Sequence, residues 1–109
     1  MNTLTIDYDT VKVGDTAHDF ALTAVEDGQP QSFTDTSGIV VKVGDASHKQ
    51  ITTLATSVNA DGNLFASSDN LTGVSAGTYY VELWQTTEDG VTIYPTVGYA
   101  TITLVQSIQ

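Results

Sequence analysis

The clearest indication of the fold lies in residues 71–84, LTGVSAGTYYVELW. Its first half is a run of small residues between glycines, which is typical of a tight turn. From residue 78 to residue 86 the types become β-branched and aromatic and alternate in polarity, which predicts a half-buried strand. Since successive side chains of a strand point to opposite faces, one face carries Tyr79, Val81 and Leu83, and the other carries Tyr80, Glu82 and Trp84.

The rest of the chain follows the same pattern. Short segments rich in Thr, Val, Ile and Tyr recur about every ten residues, separated by Gly, Asn and Asp, and no window has helical spacing of apolar residues. We expect seven or eight strands, at residues 4–8, 17–25, 39–43, 51–58, 63–66, 78–86, 91–94 and 98–105, with turns at 26–30 and 59–62 that depend on Gly28 and Gly62. The apolar faces predicted to form the core are Leu4, Ile6 and Tyr8; Phe20, Leu22 and Ala24; Ile39, Val41 and Val43; and Ala100, Ile102 and Leu104.

The sequence Gly77-x-Tyr79-x-Val81 resembles the start of strand F in immunoglobulin-like domains. In those domains a tyrosine near the strand start ties a corner by hydrogen bonding to upstream backbone. The resemblance makes Tyr79 the structural corner residue and places Val81 where antibody domains carry their second cysteine. We therefore expect an all-β, immunoglobulin-like antiparallel β-sandwich of 7–8 strands, formed as a single domain by residues 1–109.

Composition limits the classes of partner. The 109 residues contain no cysteine, which excludes disulfides and thiolate zinc sites and suits a reducing cytoplasm. Thirteen acidic residues stand against three lysines and no arginine, for a formal net charge of -10. Such a surface repels both phosphate backbones and anionic membranes, so we predict neither nucleic acid nor membrane as a partner.

No catalytic, cofactor-binding or metal-binding residue is predicted. His18 and His48 have aspartates nearby in sequence, but each histidine stands alone, without the paired spacing that zinc sites use. The clusters at residues 61–63 and 68–70 lack the dense acidic series of a calcium loop and are more typical of turns. There is no nucleophile elbow and no glycine-rich phosphate loop. The sequence favours a protein that is not an enzyme.

The segment VKVGD occurs twice, at residues 11–15 and 41–45, and each copy is followed by a histidine, His18 and His48. Two copies are too few for a solenoid. One interpretation is that two strands leave the sheet through similar Gly-Asp turns. The other is a twofold site built from both copies.

The outward face of the decisive strand carries the candidate interaction residues Tyr80, Glu82 and Trp84, with Tyr99 expected beside them from the next strand. Three interpretations are open. Neighbouring loops, or cross-strand pairing with Thr101 and Thr103, could cover the rings. The rings could form a protein interface, for which exposed Tyr and Trp are favoured anchors. They could also form a platform on which sugar rings stack.

The order of motifs along the chain resembles the N-terminal domain of the phage baseplate upper protein family, from tailed phages of Gram-positive lactic bacteria. The motifs are Asp19-Phe20-Ala21-Leu22, the strand at residues 38–43, Asp61-Gly62-Asn63-Leu64-Phe65, residues 77–83, and the closing strand at residues 99–105. The resemblance implies a structural virion domain that docks receptor-binding proteins onto the tail baseplate and is assembled in the bacterial host cytoplasm. It implies other tail or baseplate proteins as partners, with a homo-oligomer in the particle left open, and makes this chain the N-terminal docking module of a longer protein.

The alternative is an extracellular carbohydrate-binding module or adhesin repeat of a Gram-positive bacterium. Both interpretations use an immunoglobulin-like sandwich, and neither needs a cofactor.

Overall fold

Two β-sheets packed face to face form the fold in the computed structural model, which describes residues 1–108. Within this range the strands are β1 (Asn2–Asp7), β2 (Thr10–Lys12), β3 (Asp19–Glu26), β4 (Gln29–Pro30), β5 (Ile39–Gly44), β6 (Gln50–Leu54), β7 (Thr56–Val58), β8 (Leu64–Ser67), β9 (Gly77–Thr87), β10 (Gly90–Tyr94) and β11 (Ala100–Val105), with one 3-10 turn at Ser68–Leu71. The predicted all-β sandwich is confirmed.

The strand orders are those of an immunoglobulin-like sandwich. The first sheet runs β1-β3-β8-β7, with the short β4 beside β3, and corresponds to strands A, B, E and D. The second sheet runs β2-β11-β9-β5-β6, in which β11, β9 and β5 take the places of G, F and C. All pairings are antiparallel except that of β2 with β11. The long strand β9 pairs with β5 on one side and with both β10 and β11 on the other.

The single strand predicted over residues 51–58 is wrong. The chain there forms β6, which pairs with β5, and then β7, which pairs with β8 in the opposite sheet. The crossing occurs at Ala55, whose carbonyl accepts a hydrogen bond from the Ser67 amide. The segment has no Gly or Pro at the crossing, so no local turn signal marks it.

Two further differences lie near the N-terminus. Tyr8 was expected in the core face of the first strand, but β1 ends at Asp7 and Tyr8 is exposed with a φ of 57°. Strand β2 was not predicted, because three residues are too few to show an alternation. The division of residues 51–58 into β6 and β7, together with the unpredicted strands β2 and β4, explains why eleven strands are found where seven or eight were expected.

The core between the sheets contains the predicted faces of the central strands. Phe20, Leu22, Ala24, Ile39, Val41, Val43, Val81, Leu83, Ile102 and Leu104 are all buried, and Ala100 packs against them. The predicted turns at residues 26–30 and 59–62 are present, and Gly28 and Gly62 have φ values of 85° and 82°.

Tyr94 of β10 also lies in this core and links the two sheets. Its hydroxyl donates a hydrogen bond of 3.2 Å to Glu26 Oε2 on β3. Burial, with the neighbouring Glu26 carboxylate, raises the pKa of Tyr94 to about 12.

The start of β9 has the hydrogen bond that a tyrosine corner requires. Tyr79 is half-buried against the core, and its hydroxyl donates to the carbonyl of Ser75, four residues upstream, at 2.7 Å. The bond closes the turn over residues 75–79, so the first residues of β9 are held at a defined angle to the preceding loop.

Candidate functional site

The outer face of the second sheet carries the residues singled out on β9. Because register partners share a face, Tyr80, Glu82 and Trp84 stand opposite Gly44, Lys42 and Val40 of β5. None of the three β9 side chains is in the core, and each remains partly exposed.

An apolar row crosses this face. Val40 of β5 and Ile93 of β10 are the register partners of Trp84, so the three side chains lie side by side on three hydrogen-bonded strands. Val91 lies on the same face two residues along β10. Val40 is 41% exposed and Val91 53% exposed. A contiguous apolar surface of this kind on a sheet marks an interaction face more often than isolated exposed side chains do.

Trp84 is held at two points. Lys42 Nζ lies 3.5 Å from the centroid of the indole ring, a cation–π contact. At the ring edge, Nε1 donates a hydrogen bond of 3.1 Å to Glu82 Oε1. Because both contacts restrict the side-chain rotamer, Trp84 loses less conformational entropy when a ligand binds it.

Three more rings pack together at the other end of β9. We call His48, Tyr80 and Tyr99 the ring cluster. The His48 and Tyr99 rings are stacked with centroids 4.8 Å apart and an interplanar angle of 23°. Tyr80 is tilted against both, at 4.9 Å from Tyr99 and 5.1 Å from His48. These spacings are those of favourable aromatic pairs.

The loop between β5 and β6 places His48 in the ring cluster. The backbone at His48 has a φ of 65°, which is uncommon for a residue with a side chain. Asp45 supports this conformation: its Oδ1 accepts the amides of Ser47 at 2.9 Å and Lys49 at 3.1 Å, and its carbonyl accepts the His48 amide. The Lys49 amide is the main reason that the pKa of Asp45 is lowered.

Tyr99 joins the ring cluster from the loop between β10 and β11. Strand β10 pairs with the second half of β9 and β11 with its first half, so residues 95–99 lie outside the ladder between them. Tyr99 is the last of these residues and is 41% exposed. The strand predicted to begin at residue 98 begins at Ala100, and Tyr99 contacts Tyr80 from the preceding loop.

A groove of about 190 Å³ is lined by the ring cluster and Trp84, together with Lys42, Glu82, Gln50 and the backbone of residues 43–44. Gly44 is the register partner of Tyr80 and has no side chain to fill the face at that point. The groove therefore combines aromatic walls with one carboxylate, one ammonium group and one amide.

The repeated VKVGD segments do not form a common site among the described residues. In both copies the aspartate accepts the amide two residues on, Asp15 from Ala17 and Asp45 from Ser47. The histidines diverge: His18 Nε2 lies 2.6 Å from the Tyr8 carbonyl and its ring contacts Phe20, whereas His48 joins the ring cluster. This arrangement favours the interpretation as two similar turns.

The sequence analysis did not place His48 on the outer face of the second sheet. The Asp45 turn just before His48 is visible in the sequence as a Gly-Asp pair, but only the folded structure shows that this turn brings the imidazole against Tyr80 and Tyr99.

In residues 1–108, no group of three or more His, Asp or Glu side chains is arranged to hold a metal ion. The four-residue 3-10 turn, which is the helical segment of that range, is far too short to cross a bilayer. No protein-family model matches the chain, and no curated protein matches it significantly.

Proposed function

We propose that this domain is a non-enzymatic assembly module of a phage tail or baseplate, which binds another tail protein through the outer face of its second sheet. The observation that carries the proposal is the apolar row Val40–Trp84–Ile93 on the outer face, in which Val40 is exposed, Trp84 and Ile93 are partly exposed, and Trp84 is held in place by its neighbours. Protein interfaces depend on a few ordered aromatic anchors at the centre of an apolar patch. The assignment to a phage particle is supported by the order of sequence motifs along the chain.

At two of the sheet edges, paired groups make strand addition less favourable than a contact through the sheet face. At β6, one edge strand of the second sheet, the Thr53 carbonyl accepts a hydrogen bond of 3.0 Å from the Asn70 side chain. At β1, one edge strand of the first sheet, Asn2 exchanges hydrogen bonds with Thr96. Edge groups that are already paired are poor templates for adding a strand.

Charge indicates the chemistry of the partner. A domain with a net charge of -10 and no arginine associates fastest with a surface of positive potential. We therefore expect a tail protein with a basic docking surface, and an association rate that falls as salt is added.

Saccharide binding is the second candidate, and the mixed aromatic and polar lining of the groove is what favours it. The ring contacts are less favourable to it. Lys42 covers one face of Trp84, and the rings of the cluster pack against one another. A pyranose ring needs a broad open aromatic face, whereas a single side chain of a protein partner can use the part of the ring cluster that stays exposed, such as Tyr99 at 41%. The contacts within the domain therefore weigh towards the protein interface.

The proposal is tested by mixing the purified domain with each protein encoded by the neighbouring genes and measuring binding by calorimetry. Val40→Glu places a charge at one end of the apolar row and should weaken binding at least about tenfold. Thr5→Glu is the matched control, because it adds the same charge at an exposed position on β1 of the other sheet. Equal effects of the two substitutions, or no binding to any of these proteins, would contradict the proposal.

Titration with saccharides from Gram-positive cell walls addresses the second candidate. Saturable shifts of the Trp84 indole signal in NMR spectra, lost in Tyr80→Ala, would replace the assembly role with glycan recognition. No saccharide-dependent shift is the result expected of an assembly module.

A further inference from the structure

Glu82 is a half-buried carboxylate at the groove with one oxygen uncommitted. Its Oε1 accepts the Trp84 indole N–H, and no hydrogen bond to its Oε2 is found within residues 1–108. The one ion pair in that range joins the N-terminal ammonium to Asp27, so no cation lies within salt-bridge distance of Glu82. A carboxylate in this state favours a cationic ligand that can also donate hydrogen bonds.

The walls of the groove suit a flat cation. The ring cluster and Trp84 supply π-faces and edges close to Glu82, and cations are attracted to aromatic faces. The domain already shows this contact internally, because the Lys42 ammonium group rests on the Trp84 ring. A guanidinium group stacks on rings and presents a fork of N–H donors to a carboxylate, whereas an ammonium group is a compact, strongly hydrated charge.

We propose that the groove is a receptor for an arginine side chain presented by the partner protein. This inference rests on the proposed function and names the partner's chemistry at one point of the interface. The guanidinium stacks against the ring cluster and donates to the Glu82 carboxylate, and the net charge of -10 attracts it. Arginine is among the residues most often found as an anchor in such pockets.

Substitutions of Lys42 and Glu82 show whether the groove prefers a cationic or an anionic ligand. The Lys42 ammonium group lines the same groove and repels an incoming cation, so Lys42→Met should strengthen the binding of arginine by about threefold. Glu82→Gln removes the acceptor charge and should weaken binding by roughly tenfold. An anionic ligand would show the opposite signs.

The experiment is an NMR titration of the whole domain with Nα-acetylarginine amide. Nα-acetylcitrulline amide is the control ligand, because it has nearly the same shape without the charge. Glu88→Gln is the control variant: it makes the same change of side chain and of net charge at an exposed position of the β9–β10 turn. Spectra of each free variant establish that it is folded.

We expect saturable shifts at the Trp84 indole and the Glu82 and His48 amides with the arginine probe, and none with citrulline. Glu88→Gln should change the affinity less than twofold. Equal shifts with citrulline, equal effects of Glu82→Gln and Glu88→Gln, or weaker binding by Lys42→Met would overturn the inference. If the arginine probe fails while Val40→Glu still weakens binding of the tail protein, the arginine receptor is wrong and the assembly role stands.

Discussion

The hydroxyl of Tyr79 makes one identifiable contribution to stability, through its hydrogen bond of 2.7 Å to the Ser75 carbonyl. Tyr79→Phe removes that bond and retains the ring that packs against the core. A hydrogen bond between neutral groups contributes about 1 kcal/mol. Ser75 is exposed, so water solvates its carbonyl in the variant and no buried acceptor is left unpaired. We therefore expect the free energy of unfolding to fall by about 1 kcal/mol, and the melting temperature by roughly 4 °C.

The assay is urea denaturation followed by the fluorescence of Trp84, the single tryptophan. The midpoint should fall while the slope with urea stays the same, since the surface exposed on unfolding is unchanged. Tyr80→Phe is the matched control, because the Tyr80 hydroxyl has no hydrogen-bond partner among the described residues, and it should change stability by less than about 0.5 kcal/mol. Equal losses in the two variants would refute the assignment of Tyr79 as the corner residue.

Four further predictions concern side chains that support the fold and the candidate site. Asp45→Ala should release the turn that places His48 against Tyr99, seen as a loss of ring-current shifts on the imidazole protons, whereas Asp45→Asn, which retains the acceptor oxygen, should preserve them. Because the pKa of Asp45 is lowered in the fold, its carboxylate should contribute stability above about pH 4 that is lost as the pH falls through the lowered value; urea midpoints that fall as much in Asp45→Asn as in the unsubstituted domain between about pH 5 and pH 2 would contradict this. Because the pKa of Tyr94 is raised to about 12, the folded chain keeps a phenol proton that the unfolded chain begins to lose at about pH 10. The stability that this group contributes is therefore full below pH 10 and declines as the pH rises towards 12. Urea midpoints measured across that range should fall less in Tyr94→Phe than in the unsubstituted domain. Ser68→Ala should cost about 2 kcal/mol in urea denaturation, because the buried hydroxyl donates to the Asp15 carbonyl and accepts the His18 amide, and a loss no larger than that of the exposed Ser57→Ala would contradict this role.

The sequence was sufficient for the two faces of β9 and for the core faces of the central strands, but it placed Tyr8 in the core, where the structure has Tyr94 instead. A strand with one buried face places its inward side chains at every second position, and in residues 78–86 the aliphatic Val81 and Leu83 occupy alternate positions with Glu82 between them. The same reasoning placed Val41, Val43 and Ile102 inside, and the structure buries all three. The prediction of one strand over residues 51–58 was wrong. A chain that passes from one sheet to the other keeps residue types that favour β-structure, and only its pairing partners change, from β5 to β8.

The candidate site on the outer face of the second sheet was only partly visible in the sequence. Tyr80, Glu82 and Trp84 follow from alternation alone, since neighbours two apart on a strand share a face. Tyr99 was expected beside them, but on a strand rather than in the loop that interrupts the ladder. His48 lacks the paired spacing of a zinc ligand in the sequence, and its place in the ring cluster depends on a turn that no periodicity describes.

The class of fold, the inward and outward sets on β9 and the acidic character of the surface can all be deduced from the amino-acid sequence, because they follow from local residue types and from the sum of charges. The row formed by Val40, Trp84 and Ile93, and the contact between Lys42 and Trp84, become visible only in the folded domain. These contacts are between residues far apart in the chain. Strand pairing and register bring the residues together, and both depend on the packing of the whole sandwich.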